Sequence, residues 1–197
     1  MNAARPATVA STVVVAGTAG GVGTTTTTAL LFESFGTLEG PRLYDHSGGE
    51  LGLRLTGGDD VLTVSSEVSL HDLGAHARAR GVAALEDPRS LLIAVTGATP
   101  AGLDAAEDIF GTIDERYGQA GLQRTIVVAV GVFGRRRLGA QLETLLARFG
   151  ARSVIVFPRD AALAGGGRIP ANRLTADTRR AQQRLYRLVR DRILSTG

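Results

Sequence analysis

The residues best suited to chemistry in this sequence form a glycine-rich stretch near its start. A β-branched run at 13–15 leads into a turn with four glycines between positions 17 and 23, and five consecutive threonines follow. Glycines allow several backbone N–H groups to converge on an anion at the N-terminus of a helix, where the helix dipole favours negative charge. We therefore predict a phosphate-binding loop. Its expected contacts are Gly20, Gly21, Val22, Gly23, Thr24, Thr25 and Thr26.

This loop lacks the positive charge that phosphate-binding loops of the same spacing carry. The pattern Gly-x-x-x-x-Gly-Lys-Ser/Thr places an ammonium on the β- and γ-phosphates and a hydroxyl on Mg²⁺. Here Thr24 stands at the lysine position and Thr25 at the hydroxyl position, and all 22 basic residues of the chain are arginine. We expect the loop to keep its shape without its strongest electrostatic group.

Two aspartates at the ends of predicted strands complete this set of polar groups. Asp45 ends a short strand at 41–45, and Asp72 lies near the end of a strand at 68–74. In α/β sheets, ligands bind at the carboxyl ends of the strands. Asp45 and Asp72 are therefore the candidate catalytic residues, and together with Thr25 they are the candidate ligands of Mg²⁺. The alternative is structural: the aspartates would cap the following helices, and Thr25 would be an N-cap hydroxyl.

The elements that must position these residues alternate between apolar strands and amphipathic helices. This alternation predicts a single doubly wound α/β domain with a mainly parallel sheet flanked by helices, over residues 13–197 after a flexible tail at 1–12. Further strands are predicted at 61–64, 90–96, 125–133 and 153–157. Further helices are predicted at 75–86, 102–117, 138–149 and 177–194.

Composition excludes several kinds of site. The chain has no cysteine, which rules out disulfides, thiolate metal ligands and cysteine nucleophiles. Its three histidines, His46, His71 and His76, are scattered along the sequence, so we predict polar surface or loop residues rather than zinc ligands. Neither a signal peptide nor a membrane-spanning segment is apparent, and we therefore expect a cytoplasmic protein.

Charge is distributed unevenly along the chain. Residues 1–119 hold 7 Arg and 15 Asp or Glu, whereas residues 121–197 hold 15 Arg and 4 Asp or Glu. This asymmetry has three possible meanings. The basic part could bind an acidic or nucleic-acid partner, or the two parts could attract each other between copies of the chain. Alternatively, their charges neutralise each other within one fold. Between a predicted strand and a predicted helix lie Arg135, Arg136 and Arg137. These arginines would either contact nucleic-acid phosphates or form a solvated loop.

Several motifs together resemble those of the MinD/ParA family of P-loop ATPases, whose deviant Walker A loop reads Lys-Gly-Gly-Val-Gly-Lys-Thr-Thr. Residues 19–26 match this loop except at the two lysines. Asp45 and the residues after it resemble the family's switch I, and Asp72 occupies the place of its Walker B aspartate. The last predicted strand and the loop after it are similar to the family's adenine-side segment. This similarity implies nucleotide contacts at Pro158 and Asp160.

The departures from the family pattern fall on hydrolysis. In the family, the first loop lysine reaches across a dimer, and Ala19 stands in its place here. The second lysine holds the phosphates, and Thr24 replaces it. A switch I aspartate positions the attacking water, and Ser47 replaces that residue. The resemblance therefore implies a degenerate member that binds ATP or ADP with Mg²⁺ weakly or not at all and hydrolyses ATP poorly. Such a protein would be a scaffold or regulatory partner in partitioning, positioning or secretion machinery. It would work as a homodimer or beside another ATPase or a machinery protein.

Two other functions fit parts of the sequence. The loop glycines, spaced G-x-x-x-G-x-G with Asp45 downstream, also suit an NAD(P)-binding, short-chain-dehydrogenase-like protein. Such enzymes use a Tyr-x-x-x-Lys pair, however, and this chain has no lysine. Alternatively, the chain is an active ATPase switch in which Arg159 or Arg168 replaces the missing lysine.

Overall fold

The computed structural model describes residues 11–36, 40–55, 67–132, 142–144, 147 and 153–196. The described strands are β1 Ser11–Gly17, β2 Arg42–Asp45, β3 Val68–Asp72, β4 Ser90–Gly97, β5 Thr125–Val132 and β6 Val154–Pro158. The described α-helices with defined bounds are α1 Thr24–Phe35, α2 Glu50–Arg54, α3 Val82–Ala84, α4 Pro100–Gln123 and α5 Ala176–Thr196. A π-helical turn, Ala77–Gly81, precedes α3, and 3₁₀ turns lie at Ala161–Leu163 and Ala171–Arg173.

The sheet is parallel throughout the described strands, in the order β2-β3-β1-β4-β5-β6. From β1 the chain crosses to β2 at one edge, returns through β3, passes β1 to reach β4, and then adds β5 and β6 on the other side. Connections that leave the centre of a sheet in opposite directions open a crevice at the carboxyl ends of the central strands. The predicted doubly wound α/β fold with a mainly parallel sheet is confirmed.

Separate apolar cores cover the two faces of the sheet. Side chains alternate along β1, so Val13 and Val15 face one layer while Val14 and Ala16 face the other. Helices α1 and α5 pack on the first face, and α3, α4 and the helical residues 142–144 pack on the second. Because both faces are covered, the central strands are continuous apolar runs, which is typical of parallel sheets.

Three helices differ from the sequence-based expectation. The helix predicted at 75–86 is instead the π-turn followed by the three-residue α3. Helix α4 extends past its predicted end at Tyr117 to Gln123, and Gly118 inside it departs from helical geometry with φ 57° and ψ −153°. The short helix α2 was not predicted at all, because five residues give too little periodicity to detect.

The ends of the predicted domain and several loops lie partly outside the described residues. β1 begins at Ser11, so residues 11 and 12 of the predicted tail belong to the strand, while 1–10 lie outside the described part of the chain. The predicted strand at 61–64 and the arginines at 135–137 also lie outside it. Of the helix predicted at 138–149, residues 142–144 and 147 are described, and they are helical.

A close packing contact explains the π-turn after β3. The Gly81 N–H donates to the carbonyl of His76 at 2.9 Å, five residues back. A Cβ added at Gly81 would lie 3.1 Å from Leu92 Cδ1 and 3.2 Å from Ala16 Cβ. The turn therefore lies directly on β1 and β4, which is possible because position 81 has no side chain.

Candidate functional site

The predicted site residues meet at the carboxyl ends of β1, β2 and β3. In the strand register Asp45 lies opposite Asp72, and Asp72 lies opposite Val15 of β1. The Gly17 N–H donates to the carbonyl of Gly74 at 2.7 Å, so the glycine-rich loop begins directly beside the end of β3. The structure thus brings the loop and both aspartates to one edge of the sheet.

The glycines hold the loop in a conformation with an open outer surface. Gly21 and Gly23 have φ angles of 72° and 93°, in the left-handed region that side chains disfavour. A Cβ added at Gly17 would lie 2.3 Å from Thr24 Oγ1, whereas one added at Gly20 would meet no atom within 4 Å. The loop is therefore closed on its inner side and accessible on its outer side, as a cradle for an anion requires.

Thr24, at the position of the missing lysine, is enclosed by the loop. It is only 7% exposed, and its hydroxyl lies against Gly17. Helix α1 begins at this residue, and its N-cap, Gly23, provides no side-chain hydrogen bond. A short buried hydroxyl cannot extend over the loop as an ammonium on a four-carbon stem does. The cradle is therefore formed without a charged side chain in it.

Asp72 is the residue whose environment most favours a bound cation. It is fully buried, and its Oδ1 accepts a hydrogen bond from the Gly74 N–H at 2.9 Å, but its Oδ2 has no hydrogen-bond partner within the described structure. Burial raises the pKa of the Asp72 carboxyl, the Gly74 N–H and the Thr25 hydroxyl lower it, and the nearby charge of Asp45 raises it. A buried carboxylate oxygen without a partner is costly.

The polar atoms around Asp72 fit Mg²⁺. This cation prefers oxygen ligands, and it commonly binds through one or two carboxylates with phosphates and waters completing the shell. Thr25 and Asp72 Oδ2 are the groups that would hold it. No group of three or more His, Asp or Glu side chains suited to a metal occurs in the described ranges, so a cation here would depend on phosphate oxygens for further ligands.

Asp45 serves the loop after β2 instead. Its Oδ1 accepts hydrogen bonds from the N–H of Ser47 at 2.7 Å and from the Ser47 hydroxyl at 2.6 Å, and its Oδ2 accepts one from the N–H of Leu51 at 3.1 Å, in the first turn of α2. Burial alone would raise the pKa of Asp45, but these hydrogen bonds outweigh it and the pKa is lowered. The structural alternative given above therefore describes Asp45 well.

Ser47 lies between the two aspartates. A Cβ added at Gly74, whose φ is 61°, would lie 3.4 Å from Ser47 Cβ, so the loop after β2 packs against the end of β3. The Ser47 hydroxyl donates its only proton to Asp45. Once that proton is donated, the Ser47 oxygen can act only as an uncharged acceptor.

On the adenine side of the predicted site, Asp160 is committed to the fold. Its Oδ1 accepts from the Ala162 N–H at 3.0 Å, and its Oδ2 accepts from the Thr175 N–H at 2.8 Å and the Thr178 hydroxyl at 2.7 Å. Burial would raise the pKa of Asp160, and these hydrogen bonds lower it overall. Asp160 therefore joins the end of β6 to the first turn of α5, while the neighbouring Pro158 ends β6.

Arg168 contacts the end of α2. Its Nε donates to the Leu55 carbonyl at 3.3 Å, and Arg54 donates in return to the Leu163 carbonyl at 3.2 Å. These bonds tie the segment after β6 to the segment after β2. The predicted role of Arg168 or Arg159 as a replacement for the missing lysine stays a prediction.

A chain of hydroxyls beside the cradle was not predicted. Thr18 Oγ1 donates to Thr96 Oγ1 at 3.0 Å, and Thr96 Oγ1 donates to the carbonyl of Gly102 at 2.6 Å. Thr96 is fully buried at the end of the otherwise apolar β4. In the sequence, this polar residue at the end of an apolar strand is the feature that could have indicated the chain of hydroxyls.

Two histidines that are far apart in the sequence form a pair next to the two aspartates. His46 Nε2 and His71 Nδ1 are 3.1 Å apart, and the ring of His71 stacks on Tyr44 with 4.5 Å between centroids. Burial lowers the pKa of His71, and the proximity of His46 lowers it further. The sequence showed scattered histidines, and only the pairing of β2 with β3 brings two of them together.

No helix in the described ranges has the length and apolarity that crossing a bilayer requires.

The comparisons with known proteins agree with the geometry at the level of the fold. No protein-family model and no curated protein sequence matches the chain. Among solved structures it is similar to a ParA family ATPase from Chlorobium tepidum TLS, with 15% sequence identity and a TM-score of 0.58 over 95% of this chain and 98% of that one. The six-stranded parallel sheet with flanking helices has the α/β fold of a ParA-like P-loop NTPase.

Proposed function

We propose that this protein is a degenerate ParA-like P-loop protein that binds ATP or ADP with Mg²⁺ weakly and hydrolyses ATP at most very slowly. The observation that best supports this proposal is the buried Oδ2 of Asp72, which has no hydrogen-bond partner in the described structure and lies beside the hydroxyls of Thr25 and Ser47. That oxygen gives a cation a place to bind. The same cradle has only the buried hydroxyl of Thr24 where a charge on the phosphates is needed.

Each residue of the cradle has a separate task in this proposal. The backbone N–H groups of the loop would contact the phosphates, with the dipole of α1 behind them. Thr25 and Asp72 would hold Mg²⁺, which when bound supplies positive charge to the phosphate oxygens. Ser47 is a weak substitute for a carboxylate that orients water, since its hydroxyl is neutral and has one acceptor oxygen where a carboxylate has two.

We expect slow ATP turnover because each of the missing groups contributes strongly to the rate of hydrolysis. Phosphoryl transfer depends mostly on positioning and on stabilising charge in the transition state. Removal of one such preorganised group typically lowers kcat about 10²-fold or more. Ala19, Thr24 and Ser47 replace three groups that act in hydrolysis in the MinD/ParA family.

A complete fold with a weakened hydrolytic site suits a protein that works through contacts. We propose a scaffold or regulatory role in partitioning, positioning or secretion machinery, as a homodimer or beside another ATPase or a machinery protein. The separation of acidic and basic residues along the chain supports such contacts. A nucleic-acid partner held by Arg135, Arg136 and Arg137 is a separate prediction.

Calorimetry on the full chain tests the nucleotide part of the proposal. Wild type, Thr24→Lys and the control Gln119→Lys are titrated with ATP and ADP in Mg²⁺, and with NAD⁺. We expect weak or no binding by wild type and affinity for ATP at least about tenfold higher for Thr24→Lys, because the lysine restores a charge on the phosphates. Gln119→Lys adds the same charge at an exposed position of α4 outside the loop, so it should not show this gain.

Phosphate release measured on the same proteins separates the alternatives. Turnover of about 1 per second by wild type, within the usual enzymatic range and abolished by Asp72→Ala, would contradict the proposal and favour an active ATPase. Arg159→Met and Arg168→Met would then identify the compensating residue. Tight binding of NAD⁺ without binding of ATP would favour the dehydrogenase-like alternative.

A further inference from the structure

Two helices of opposite charge lie on opposite faces of the sheet. α4 contains five carboxylates and one arginine, whereas α5 contains six arginines and two aspartates. α4 packs through Ile109 and Ile113 on one core, and α5 packs through Leu185 and Val189 on the other. The sheet lies between most of these charges, although Asp114 of α4 and Arg192 of α5 line one cavity at the end of the two helices.

The acidic stripe is the outward side of α4. Its exposed or half-exposed members are Asp104, Glu107, Asp108, Asp114 and Glu115. Arg78 pairs with Asp108 at 2.8 Å, with both side chains about two-thirds exposed at 66% and 64%. Arg116 is the arginine of α4 itself. Among the described residues, the five carboxylates of this stripe outnumber its arginines, Arg78 and Arg116.

The basic stripe is the outward side of α5. Its exposed members are Arg179, Arg180, Arg184, Arg187 and Arg190. Asp177 pairs with Arg180, and Asp191 is the other aspartate of this helix. The stripe therefore keeps a net positive charge. Leu194, 70% exposed, adds an apolar side chain at its end.

The two stripes match in length. The acidic stripe runs over residues 104–115 and the basic stripe over 179–190, which is eleven residue steps in each helix. At a rise of about 1.5 Å per residue, each is about 16 Å long. Two straight helices of this kind can align several opposite charges at once, which a single exposed pair cannot do.

We propose that copies of this chain associate head to tail, with the basic stripe of one copy against the acidic stripe of the next. A two-fold dimer through either helix would bring like charges together, which disfavours it. A contact between different surfaces instead forms a ring or an open filament. Neither stripe includes a residue of the candidate site, so this association goes beyond the proposed nucleotide function and does not depend on it.

The strength of the contact follows from the exposure of its charges. Each exposed ion pair contributes little, so the stripes hold together only when several pairs form at once. Salt screens such pairs strongly, because the Debye length falls from about 30 Å at 0.01 M to about 3 Å at 1 M. The association is therefore weak and depends on ionic strength.

Sedimentation velocity of the full chain without nucleotide, at low and high salt, tests this inference. We expect wild type to form oligomers at low salt and to dissociate at high salt. Arg187→Glu with Arg190→Glu, and separately Asp108→Arg with Glu115→Arg, should each weaken self-association at least about tenfold. An equal mixture of these two double variants should assemble again, because each then offers the other a complementary stripe.

Three results would overturn the proposal. The first is a wild type that stays monomeric at low salt and about 100 μM, a concentration that detects a weak contact. The second is self-association of either double variant as strong as that of wild type. The third is a mixture that does not assemble although circular dichroism shows both variants folded. The control Arg42→Glu with Glu50→Arg changes exposed charges away from both stripes and should assemble like wild type.

Discussion

At the scale of single residues, the two aspartates of the site show how neighbouring carboxylates differ through their surroundings. Asp45 and Asp72 lie opposite each other in adjacent strands, yet the pKa of Asp45 is lowered and that of Asp72 is raised. Asp45 accepts three hydrogen bonds from its own loop, and Asp72 has a buried oxygen without one in the described structure. Asp45 is therefore held by its own loop, whereas Asp72 keeps an oxygen that a cation could contact.

The pH dependence of stability tests the environment of Asp72. The pKa of Asp72 in the folded protein is raised above the ordinary value of 3.8. The protein therefore loses stability as the pH rises through this folded pKa and Asp72 ionises. Below the pKa of the unfolded state, Asp72 is protonated in both states and this loss is absent. Without nucleotide, Asp72→Asn should be more stable than wild type at pH 7.5 by about 1 kcal/mol. The difference should vanish below about pH 4.

Urea unfolding of both proteins across this pH range measures the effect. Mg²⁺ and ATP should narrow the difference at pH 7.5, because a bound cation compensates the buried charge in wild type alone. An Asp72→Asn variant that is less stable than wild type at pH 7.5 without nucleotide would contradict this account.

At the scale of elements, Arg124 joins the end of α4 to the turn before β4. Its guanidinium donates to the carbonyls of Leu85, Asp87, Ser90 and Ala120. This side chain therefore bonds carbonyl groups near the ends of α3 and α4, where the last carbonyls have no partner within the helix.

Substitution of Arg124 measures this connection. Arg124→Met should lower the free energy of unfolding by about 2 kcal/mol, because several carbonyls lose a charged donor. Arg124→Lys should recover only part of it, since an ammonium lacks the planar fork that reaches separate acceptors. The control Arg89→Met removes an exposed pair with Asp87 and should cost less than about 1 kcal/mol. Equal losses for Arg124→Met and Arg89→Met, measured by urea unfolding, would contradict the structural role.

The π-turn is tested by adding one methyl group. Gly81→Ala places a Cβ 3.1 Å from Leu92 Cδ1 in a buried contact, and we expect a loss of about 1–3 kcal/mol from overpacking. Gly111→Ala, on α4, adds a Cβ that meets no atom within 4 Å and should stabilise the protein by about 0.5–1 kcal/mol. Thermal unfolding of the two variants should therefore shift in opposite directions. A shift of Gly81→Ala to higher temperature would show that the turn can relax.

The elements also show what the sequence could predict. Apolar runs and glycine turns indicated the sheet, the cradle and the placement of Asp45 and Asp72, because these depend on local pattern and on a general rule for parallel sheets. The π-turn depends on the contact of Gly81 with Leu92 and Ala16, and the engagement of Asp160 depends on Thr178, eighteen residues away. Such contacts require the folded chain, so periodicity and composition could not reveal them.

At the scale of the whole molecule, the sheet has a well-covered centre and one lightly covered edge. β1, β4 and β5 lie inside the sheet, while β2 has four residues, three of them exposed, and pairs only with β3 within the described structure. Local stability in a protein follows such differences in burial and hydrogen bonding.

Hydrogen exchange should reproduce this gradient. We expect the amides of β2 to exchange at least about tenfold faster than those of β1, β4 and β5, because opening the edge exposes little apolar surface. Saturating MgATP, if it binds, should slow exchange in the cradle and at the end of β3 more than in β5. Protection of β2 equal to that of β1 would show that another part of the molecule or a partner covers this edge.

The hydroxyl chain from Thr18 through Thr96 to Gly102 also sets a limit on communication across the molecule. A carbonyl only accepts, so the single proton of Thr96 is committed to Gly102, and Thr18 must be the donor in the other bond. An anion in the cradle that draws the Thr18 proton to itself leaves the bond from Thr96 to Gly102 unchanged. Along this route, α4 therefore keeps its bond to the end of β4 when the Thr18 hydroxyl turns towards an anion.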